Sequence, residues 1–298
     1  MARLRIAVTG TRGQVARSLV EQAGTAGVDV VAVGRPVLDL TDPGTIAAAV
    51  PAGLADVLVS AAAYTDVNKA ESEPALADLV NAQAPGHLAA HAKAIGIPII
   101  HLSTDYVFDG EKTEPYSETE PVRPLSVYGR SKALGERTVA AAHSRHVILR
   151  TSWVYSPFGH NFARSILDLS RRQSELRVVS DQIGHPTAAA DIAGGILAVA
   201  RNLVEGRGEA RYGLFHMAAA GAASWAEFAQ AILAAAALHG RPAAKVVPIP
   251  SAEYQSPARR PHNSRLDCRK IAEVHGIRLP DWRVSVDSCV AAILEQAA

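Results

Sequence analysis

Short apolar segments alternate with segments of helical periodicity along the first half of the chain. The apolar segments are rich in Val and Ile and predict strands at 4–10, 28–34, 55–63, 97–104 and 145–153. The segments between them predict helices at 13–24, 43–50, 72–94 and 126–143. Strands and helices in this order are typical of a parallel sheet covered by helices on both faces. We therefore expect an α/β fold with a doubly wound parallel sheet.

The pattern becomes less regular after Thr151. Loops that contain proline follow, with an Ala-rich helical segment at 224–238 and a last helical segment near 284–296. We expect a first domain over residues 1–150 and a smaller C-terminal α/β domain over residues 151–298, with an approximate boundary. A chain of 298 residues is long enough to bury a core in each.

Composition points to a soluble globular protein, with 48% apolar residues, 20% charged residues and a net charge of +1. This balance gives no global attraction to nucleic acid, although it is compatible with a local basic groove. No run of 18 apolar residues predicts a membrane span, and the N-terminal apolar run ends at Thr9, too early for a signal peptide. The two cysteines form no disulfide framework and no metal pattern, which favours a reducing cytoplasm.

A glycine-spaced turn joins the first strand to the first helix, with Gly10, Gly13 and Ala16 at intervals of three. Such a turn lets the backbone approach a pyrophosphate, which then lies at the positive N-terminus of the helix. Glycines are also common in plain strand–helix turns, so the motif alone is weak. Its place after the first strand of an alternating chain favours dinucleotide binding and a Rossmann-type fold.

The end of the second strand indicates which dinucleotide would bind. An acidic residue at this point would hold the ribose 2′-hydroxyl of NAD, but here the strand ends in Gly34 and Arg35. Arg35 could face a 2′-phosphate, so we expect NADPH, with NADH as the alternative. Arg35 could also be a solvated loop charge, and Asp39 could serve the adenosine of either cofactor.

Tyr128 and Lys132 are four residues apart in a predicted helix, which places both side chains on one face. One interpretation is an exposed tyrosine beside a solvated lysine. The other is an acid–base pair, in which the charge of Lys132 lowers the pKa of Tyr128 from about 10 towards neutral pH. The spacing alone does not choose between them.

Longer motifs carry a family resemblance. The segments TGTRGQV, STDYVFDG and VYGRSK resemble the extended short-chain dehydrogenases/reductases. The segments AAAYTDVNKAESEP, RTSWVYSPFGHNF, DQIGHPT and ARRPHNSRLD resemble, within that group, the dTDP-4-dehydrorhamnose reductase family. The likeness runs from residue 6 to about residue 283 with the motifs in the family's order.

The resemblance implies an activity and three catalytic residues. The expected reaction is NADPH-dependent reduction of the C4 ketone of dTDP-4-dehydro-6-deoxy-L-mannose (dTDP-4-dehydro-β-L-rhamnose) to dTDP-L-rhamnose. Tyr128 would supply the proton to the developing alkoxide, and Thr104 would hydrogen-bond the same oxygen. Lys132 would tune Tyr128 and bond the nicotinamide ribose. For Thr104 alone, a hydroxyl that satisfies backbone groups at a strand end is the structural alternative.

The resemblance also implies binding residues around the cofactor and the sugar nucleotide. The expected cofactor contacts are Gly10, Thr11, Arg12, Gly13, Gln14, Val15, Arg35, Asp39, Leu40, Ala62, Ala63, Tyr64, Thr65, Tyr128 and Lys132. The expected substrate contacts are Thr104, Asp105, Tyr128, Trp153, Arg259 and Arg260. A buried structural role is the alternative for Trp153. Guanidinium groups suit a diphosphate, but the sequence does not decide which of Arg259, Arg260 and Arg265 contacts it.

Rival functions stay open at this point. A sugar-nucleotide dehydratase of the same superfamily would carry Thr-Asp-Glu, where this chain has Thr104-Asp105-Tyr106. An epimerase would hold NAD tightly, which Arg35 disfavours, and a non-enzymatic NADP-binding regulatory subunit is the rival from a different class. Some family members form dimers bridged by Mg²⁺, but the first helix has no acidic residue before Glu21, so we expect no metal residues. A monomer and a homodimer both fit the sequence.

Overall fold

The computed structural model describes residues 3–206, 208–241 and 244–296. A six-stranded sheet dominates the fold, and every neighbouring pair in it is parallel. The strands of this sheet are β1 (Leu4–Thr9), β2 (Val28–Val33), β3 (Val57–Ser60), β4 (Ile99–Thr104), β5 (His146–Thr151) and β10 (Gly213–His216). Their order across the sheet is β10-β5-β4-β3-β1-β2. The predicted parallel α/β sheet is confirmed.

Helices cover both faces of the sheet and lie between its strands in the chain. They are α1 (Gln14–Ala26), α2 (Ile46–Ala49), α3 (Val67–Ala70), α4 (Pro74–Asp78), α5 (Ala84–Ala94), α6 (Val127–Ala142) and α8 (Ala189–Glu205). Short 3₁₀ turns occupy Pro43–Thr45, Asp105–Val107, Glu209–Arg211 and Ser251–Glu253. The remaining strands are β6 (Val154–Tyr155), β7 (Glu175–Val179), β8 (Ile183–Gly184), β9 (Thr187–Ala188), β11 (Ala223–Ser224) and β12 (Lys245–Ile249). The remaining helices are α7 (Phe162–Ser170), α9 (Trp225–Leu238), α10 (Arg269–His275) and α11 (Trp282–Glu295).

Alternate residues of each central strand enter different cores because successive strand side chains point to opposite faces. Ile6 and Val8 of β1 pack with α1 and α8 on one face. Ala7 of the same strand packs with α5 and α6 on the other face. A strand that is buried on both faces needs a continuous apolar run, and this is the pattern that allowed these strands to be predicted.

The sheet does not stop at the predicted domain boundary. β10 pairs with β5 in parallel, and α8 packs in the same core as α1. The predicted boundary at residue 150 therefore places β10 and α8 in the second domain, although β10 completes the first sheet and α8 packs against it. The other part of the C-terminal half has its own core, formed mainly by α7, α9 and α11.

The predicted long helix over 72–94 is interrupted. It consists of α4, a π-helical turn at Leu79–Gln83, and α5. Pro85 has no N–H and cannot bond the carbonyl of Asn81, which an uninterrupted α-helix would require. That carbonyl instead lies close to Gly135 of α6, where an added Cβ would be 2.1 Å from the oxygen. The interruption thus lets the π-helical turn and α6 approach each other closely.

Two other predicted helices are confirmed with small shifts of their ends. α6 begins after Ser126, whose side chain accepts a hydrogen bond from the Gly129 amide. α9 begins with a capping box formed by Ser224 and Glu227. No helix of the described part of the chain is long and apolar enough to cross a membrane.

Candidate active site

The carboxyl ends of β1 and β3 come together at the glycine turn. The Gly10 amide donates to the carbonyl of Val33 at 2.6 Å, and Gly10 has φ of +93°. A Cβ on Gly10 would lie 3.3 Å from the Cβ of Ala62, so a larger residue would crowd this contact as well as strain the backbone. Thr9 joins the two strand ends because its Oγ1 accepts hydrogen bonds from the amides of Ala61 and Ala62.

The N-terminus of α1 lies beside this turn and fits an anionic group. Gly13 occupies the cap position and supplies no side-chain hydrogen bond, and the first turn of α1 contains no acidic residue. The free amides and the helix dipole there suit a diphosphate. Thr11 and Arg12 are exposed next to them. The cradle therefore fits the dinucleotide that the sequence predicts.

Two predicted cofactor residues of α1 have other contacts in the structure. The side chain of Gln14 accepts a hydrogen bond from Ser156 at 2.8 Å and reaches the carbonyl of Val154 at 3.4 Å. Val15 is buried in the core between α1 and the sheet. For these two residues the structure favours backbone contacts to a cofactor over side-chain contacts.

The predicted adenosine side lies at the end of β2. Arg35 is exposed there, and Leu40 packs partly against the core. Asp39 accepts hydrogen bonds from the amide and the hydroxyl of Thr41, at 2.9 and 2.8 Å. These two bonds hold the pKa of Asp39 below its ordinary value, and the charge of Arg35 contributes in the same direction. A contact between Arg35 and a 2′-phosphate stays a prediction.

The segment after β3 is fixed by a residue that the sequence did not single out. Asn81, in the π-helical turn, accepts from the Tyr64 amide at 2.8 Å and donates to the Tyr64 carbonyl at 3.0 Å. Its amide group also donates to Ser131 of α6 at 3.0 Å. The Tyr64 hydroxyl donates to Glu73 at 2.8 Å. Asn81 therefore links the predicted cofactor segment, namely Ala62, Ala63, Tyr64 and Thr65, to the helix of Tyr128 and Lys132.

Thr104 and Tyr128 meet at the carboxyl end of β4. A hydrogen bond between them lowers the pKa of Tyr128, but burial has the larger effect and raises it to about 12. The negative charge of Asp105 also raises it. The expectation that Lys132 brings the pKa of Tyr128 towards neutral is therefore wrong for this structure. A phenol in this environment stays protonated at neutral pH, which is the form that a proton donor requires.

Lys132 is almost fully buried one turn further along α6. Its Nζ donates to the carbonyl of Leu102 at 2.6 Å. Burial lowers the pKa of Lys132 to about 8, and the nearby carboxylate of Glu136 acts against this change. The alternative of a solvated lysine beside an exposed tyrosine does not describe this pair, because Tyr128 is half-buried.

Asp105 lies beneath the site and not on its surface. Its carboxylate accepts hydrogen bonds from Thr104 and Ser152, both at 3.0 Å, and from Ser264. Burial nevertheless raises its pKa to about 6. Of the candidate catalytic residues, Asp105 hydrogen-bonds Thr104, and a direct contact of Asp105 with substrate stays a prediction.

Trp153 follows β5 at the same edge of the sheet. It has φ of +46°, a conformation that is strained for a residue with a side chain, and such strain is concentrated at functional sites. Its ring stacks on Trp225 with centroids 3.5 Å apart. Gly184 lies so close to the ring that an added Cβ would be 2.5 Å from it. Since Trp153 is only 9% exposed, the structure supports its packing role, and a substrate contact stays a prediction.

The three arginines of the basic segment have different surroundings. Arg260 donates to Ser256 and to Asn68, the latter at 3.1 Å, and it also hydrogen-bonds Tyr106. The Tyr106 ring meets Tyr128 edge-on, with centroids 6.0 Å apart. In contrast, Arg265 is tied to Asn263 and to the carbonyl of Thr113, and Arg259 is exposed. Arg260 is thus the guanidinium that the structure connects to the Tyr128 site.

The described residues contain no group of three or more His, Cys, Asp or Glu side chains that could hold a metal ion. The expectation that the chain has no metal residues stays a prediction.

The fold and the site together define a Rossmann-type oxidoreductase, for which Thr104, Tyr128 and Lys132 are the candidate catalytic residues. The family described as the RmlD substrate binding domain matches residues 4–295, and a dTDP-4-dehydrorhamnose reductase from Sinorhizobium fredii is 47% identical over 292 residues. The chain belongs to the dTDP-4-dehydrorhamnose reductase family. The Sinorhizobium alignment covers 98% of this chain and 98% of the relative.

Two further comparisons agree with this assignment. A dTDP-4-dehydrorhamnose reductase from Burkholderia thailandensis is 43% identical over 299 residues, covering 98% of this chain and all of the relative. A crystal structure of the dTDP-4-dehydrorhamnose reductase from Bacillus anthracis in complex with NADP superposes with a TM-score of 0.89. It is 30% identical and covers 97% of this chain and 99% of the other. The family expected from the sequence motifs is confirmed.

Proposed function

We propose that this protein uses NADPH to reduce the C4 ketone of dTDP-4-dehydro-β-L-rhamnose, which yields dTDP-L-rhamnose. The observation that carries the proposal is the meeting of Thr104, Tyr128 and Lys132 at the end of β4, on the same carboxyl edge of the sheet as the glycine turn. In open α/β sheets this edge is where ligands bind. Membership of the reductase family supports the choice of substrate.

Tyr128 is assigned the role of proton donor to the substrate oxygen. Its raised pKa supports this role, because the phenol carries its proton throughout the neutral range. Transfer breaks the phenolic O–H bond and forms the C4 hydroxyl, and the hydride comes from the nicotinamide when NADPH is bound. Thr104 hydrogen-bonds Tyr128 and is assigned to orient the phenol towards the substrate oxygen.

The cofactor is assigned to the glycine turn and its surroundings. Gly10, Thr11, Arg12 and Gly13 would hold the diphosphate, and Arg35 would face the 2′-phosphate. The uncapped N-terminus of α1 supports the first assignment. The absence of a carboxylate at the end of β2 supports the second. The NADP in the Bacillus anthracis relative is consistent with this choice.

Arg260 is assigned to the diphosphate of the sugar nucleotide. Its bonds to Asn68 and Tyr106 support this assignment, because they hold a guanidinium beside the Tyr128 site. The dehydratase alternative is weakened at Tyr106, since a phenol stands where elimination would need a carboxylate. We place the reaction in the cytoplasm, which the two free cysteines support. A monomer or a homodimer would serve this chemistry equally.

The decisive experiment is an assay of NADPH oxidation with dTDP-4-dehydro-β-L-rhamnose, run beside NADH. Turnover with formation of dTDP-L-rhamnose, and loss of it in Tyr128→Phe, is the expected result. A folded protein that binds NADPH without turnover of this substrate would overturn the proposal and would favour the regulatory subunit.

A further inference from the structure

A buried ion pair lies one helical turn beyond Lys132. Glu136 of α6 accepts from Arg150 of β5 through both oxygens, at 2.8 and 2.7 Å. One of these oxygens also accepts from the hydroxyl of Ser103 at 2.5 Å. The side chains of Arg150 and Glu136 are 3% and 8% exposed. A buried pair is weak evidence for a gain in stability, because removing two charges from water opposes their attraction.

The ion pair is connected to both sides of the catalytic group. Ser103 lies between Leu102, whose carbonyl accepts from Lys132, and Thr104, which bonds Tyr128. The bond from Ser103 to Glu136 and the bond from Lys132 to Leu102 are thus adjacent links between the end of β4 and α6. Together they fix the position of Thr104 relative to the helix that carries the other two catalytic residues.

The ion pair also determines the charge around Lys132. The ionisable groups near it are Tyr128 and Glu136 on its own helix, His101 on β4, Arg150 on β5 and, behind Arg150, His216 on β10. Burial lowers the pKa of His216 to about 3 and that of His101 well below its ordinary value, so both histidines are neutral at working pH. Tyr128 is neutral as well. Glu136 is therefore the carboxylate that offsets the charge of Lys132.

We propose that Glu136 is a positioning residue for the reaction: held by Ser103 and Arg150, it fixes Lys132 against the end of β4 and compensates its buried charge. This inference rests on the proposed role of Lys132 in cofactor binding. A purely structural ion pair would hold the fold together without changing the protonation of Lys132 or the binding of NADPH.

The first test measures the protonation of Lys132 directly, without substrate or cofactor. The chain contains six lysines, so ¹³C-labelled lysine ε-carbons give few NMR signals, and Lys132→Met identifies the one of interest. The wild-type signal is expected to titrate near pH 8. In Glu136→Gln the midpoint should fall by about 1 pH unit or more, because a compensating charge is lost. An unchanged midpoint overturns the proposal.

The second test measures NADPH binding by fluorescence as a function of pH. If NADPH binds the form in which Lys132 is cationic, its apparent affinity falls in proportion to the charged fraction of Lys132. In Glu136→Gln this loss of NADPH affinity should be about three- to ten-fold near pH 7.5. Affinities of Glu136→Gln and wild type should converge below about pH 6, where Lys132 is charged in both. Val139→Ala is the matched control, since it removes buried atoms from the same helix. A loss equal at all pH values, or shared by Val139→Ala, counts against the proposal.

Glu136→Gln leaves the buried Arg150 without its partner, so further variants test the proposal in case this variant does not fold. Glu136→Gln/Arg150→Gln removes both charges, and it should recover stability while the Lys132 midpoint stays low. Recovery of the wild-type midpoint would assign the pair a structural role only. Ser103→Ala keeps both charges, so it should leave NADPH affinity unchanged and lower kcat about three- to ten-fold. An unchanged kcat in Ser103→Ala overturns the positioning role. If the Lys132 midpoint shifts in Glu136→Gln but the wild-type protein shows no turnover, only the proposed function is overturned.

Discussion

Tyr128 and Lys132, which lie four residues apart in α6, respond to burial with pKa shifts in opposite directions. Burial disfavours the charged form of each, so the pKa of Tyr128 rises to about 12 and that of Lys132 falls to about 8. The phenol keeps its proton, and the ammonium stays mostly charged at neutral pH but loses its charge near pH 8. The spacing of the two residues was evident in the sequence, but the depth of their burial was not.

Substitution of these two residues should have different effects. Tyr128→Phe removes the proton donor and leaves cofactor contacts in place, so kcat should fall by about 10²–10⁴ with little change in NADPH affinity. Lys132→Met should lower kcat and also raise KM for NADPH, because a contact to the cofactor is lost. Steady-state kinetics of both variants is the measurement, with the exposed Lys93→Met as control. Equal NADPH affinity in Lys132→Met and wild type would contradict the assignment of Lys132.

Arg35 should set the preference between NADPH and NADH. Arg35→Asp replaces a contact to the 2′-phosphate by repulsion, which is worth about 1–3 kcal/mol, or about 5- to 150-fold in NADPH affinity. Affinity for NADH should change much less. Titration of both cofactors checks this, with Arg171→Asp, at the exposed end of α7, as the control. An unchanged ratio would identify Arg35 as a solvated loop charge.

The basic segment offers a direct comparison between neighbours. Arg260→Ala should raise KM for the sugar nucleotide about 10- to 100-fold, because a charge-assisted contact to its diphosphate is lost. Arg259→Ala, at an exposed position, should have little effect. KM measured for the substrate and for NADPH separates the two sites, since only the first should change in Arg260→Ala. A larger effect of Arg259→Ala would reverse the assignment.

At the scale of elements, the close approach of α6 to the π-helical turn depends on Gly135. Gly135→Ala would place a Cβ 2.1 Å from the Asn81 carbonyl oxygen, so the helices must separate. We expect a loss of about 2–4 kcal/mol in the free energy of unfolding. Gly24→Ala is the matched control, because Gly24 lies in α1 with nothing near its Cβ. It should stabilise by about 0.5–1 kcal/mol.

Urea unfolding of both glycine variants gives the two free energies. The NADPH affinity of Gly135→Ala should also fall, because Asn81 holds the Tyr64 backbone. Similar stabilities of the two variants would mean that the helices adjust without strain.

The elements that the sequence predicted well are those whose pattern of buried residues, or whose cap, is contained within a short stretch of sequence. β1 and β4 each carry a run of consecutive buried residues, and α9 carries its own capping box. The interruption before α5 was missed although Pro85 is a signal for it, because helical periodicity continues on both sides of this proline. β10 was missed because four residues carry little periodic signal, and the partner that makes them a strand is far away in the chain.

The site shows the same limit. Thr104 and Tyr128 were identified because they lie in family motifs that can be recognised from the sequence alone. Asn81 was missed, since its importance comes from bonds to two other segments. Glu136 had a signal that was overlooked, because it follows Lys132 at the same four-residue interval that separates Lys132 from Tyr128.

For the whole molecule, Asp105 should make stability depend on pH. Its pKa is raised to about 6 in the folded protein, so the folded state holds this proton more tightly than the unfolded chain. The stability from the protonated form is therefore fully present below about pH 4 and is lost as pH rises through about 6. A shift of this size corresponds to about 3 kcal/mol.

Asp105→Asn has no such titration, so only the wild type should lose this stability as pH rises. The difference in free energy of unfolding, variant minus wild type, should therefore increase by about 2–3 kcal/mol from pH 4 to pH 7. Urea unfolding across this range is the measurement. The exposed Asp168→Asn is the control, and it should show no comparable trend. A relative stability of Asp105→Asn that is independent of pH would contradict the raised pKa.

The return of β10 to the edge of the first sheet has a consequence for protein synthesis. About 60 residues separate the end of β5 from β10, so β5 leaves the ribosome with one edge unpaired. At 5–20 residues per second, its partner follows roughly 3–12 s later. An apolar strand with an open edge can pair wrongly with another chain during that interval. Nascent chains stalled between β5 and β10 should therefore be the ones that most need a chaperone.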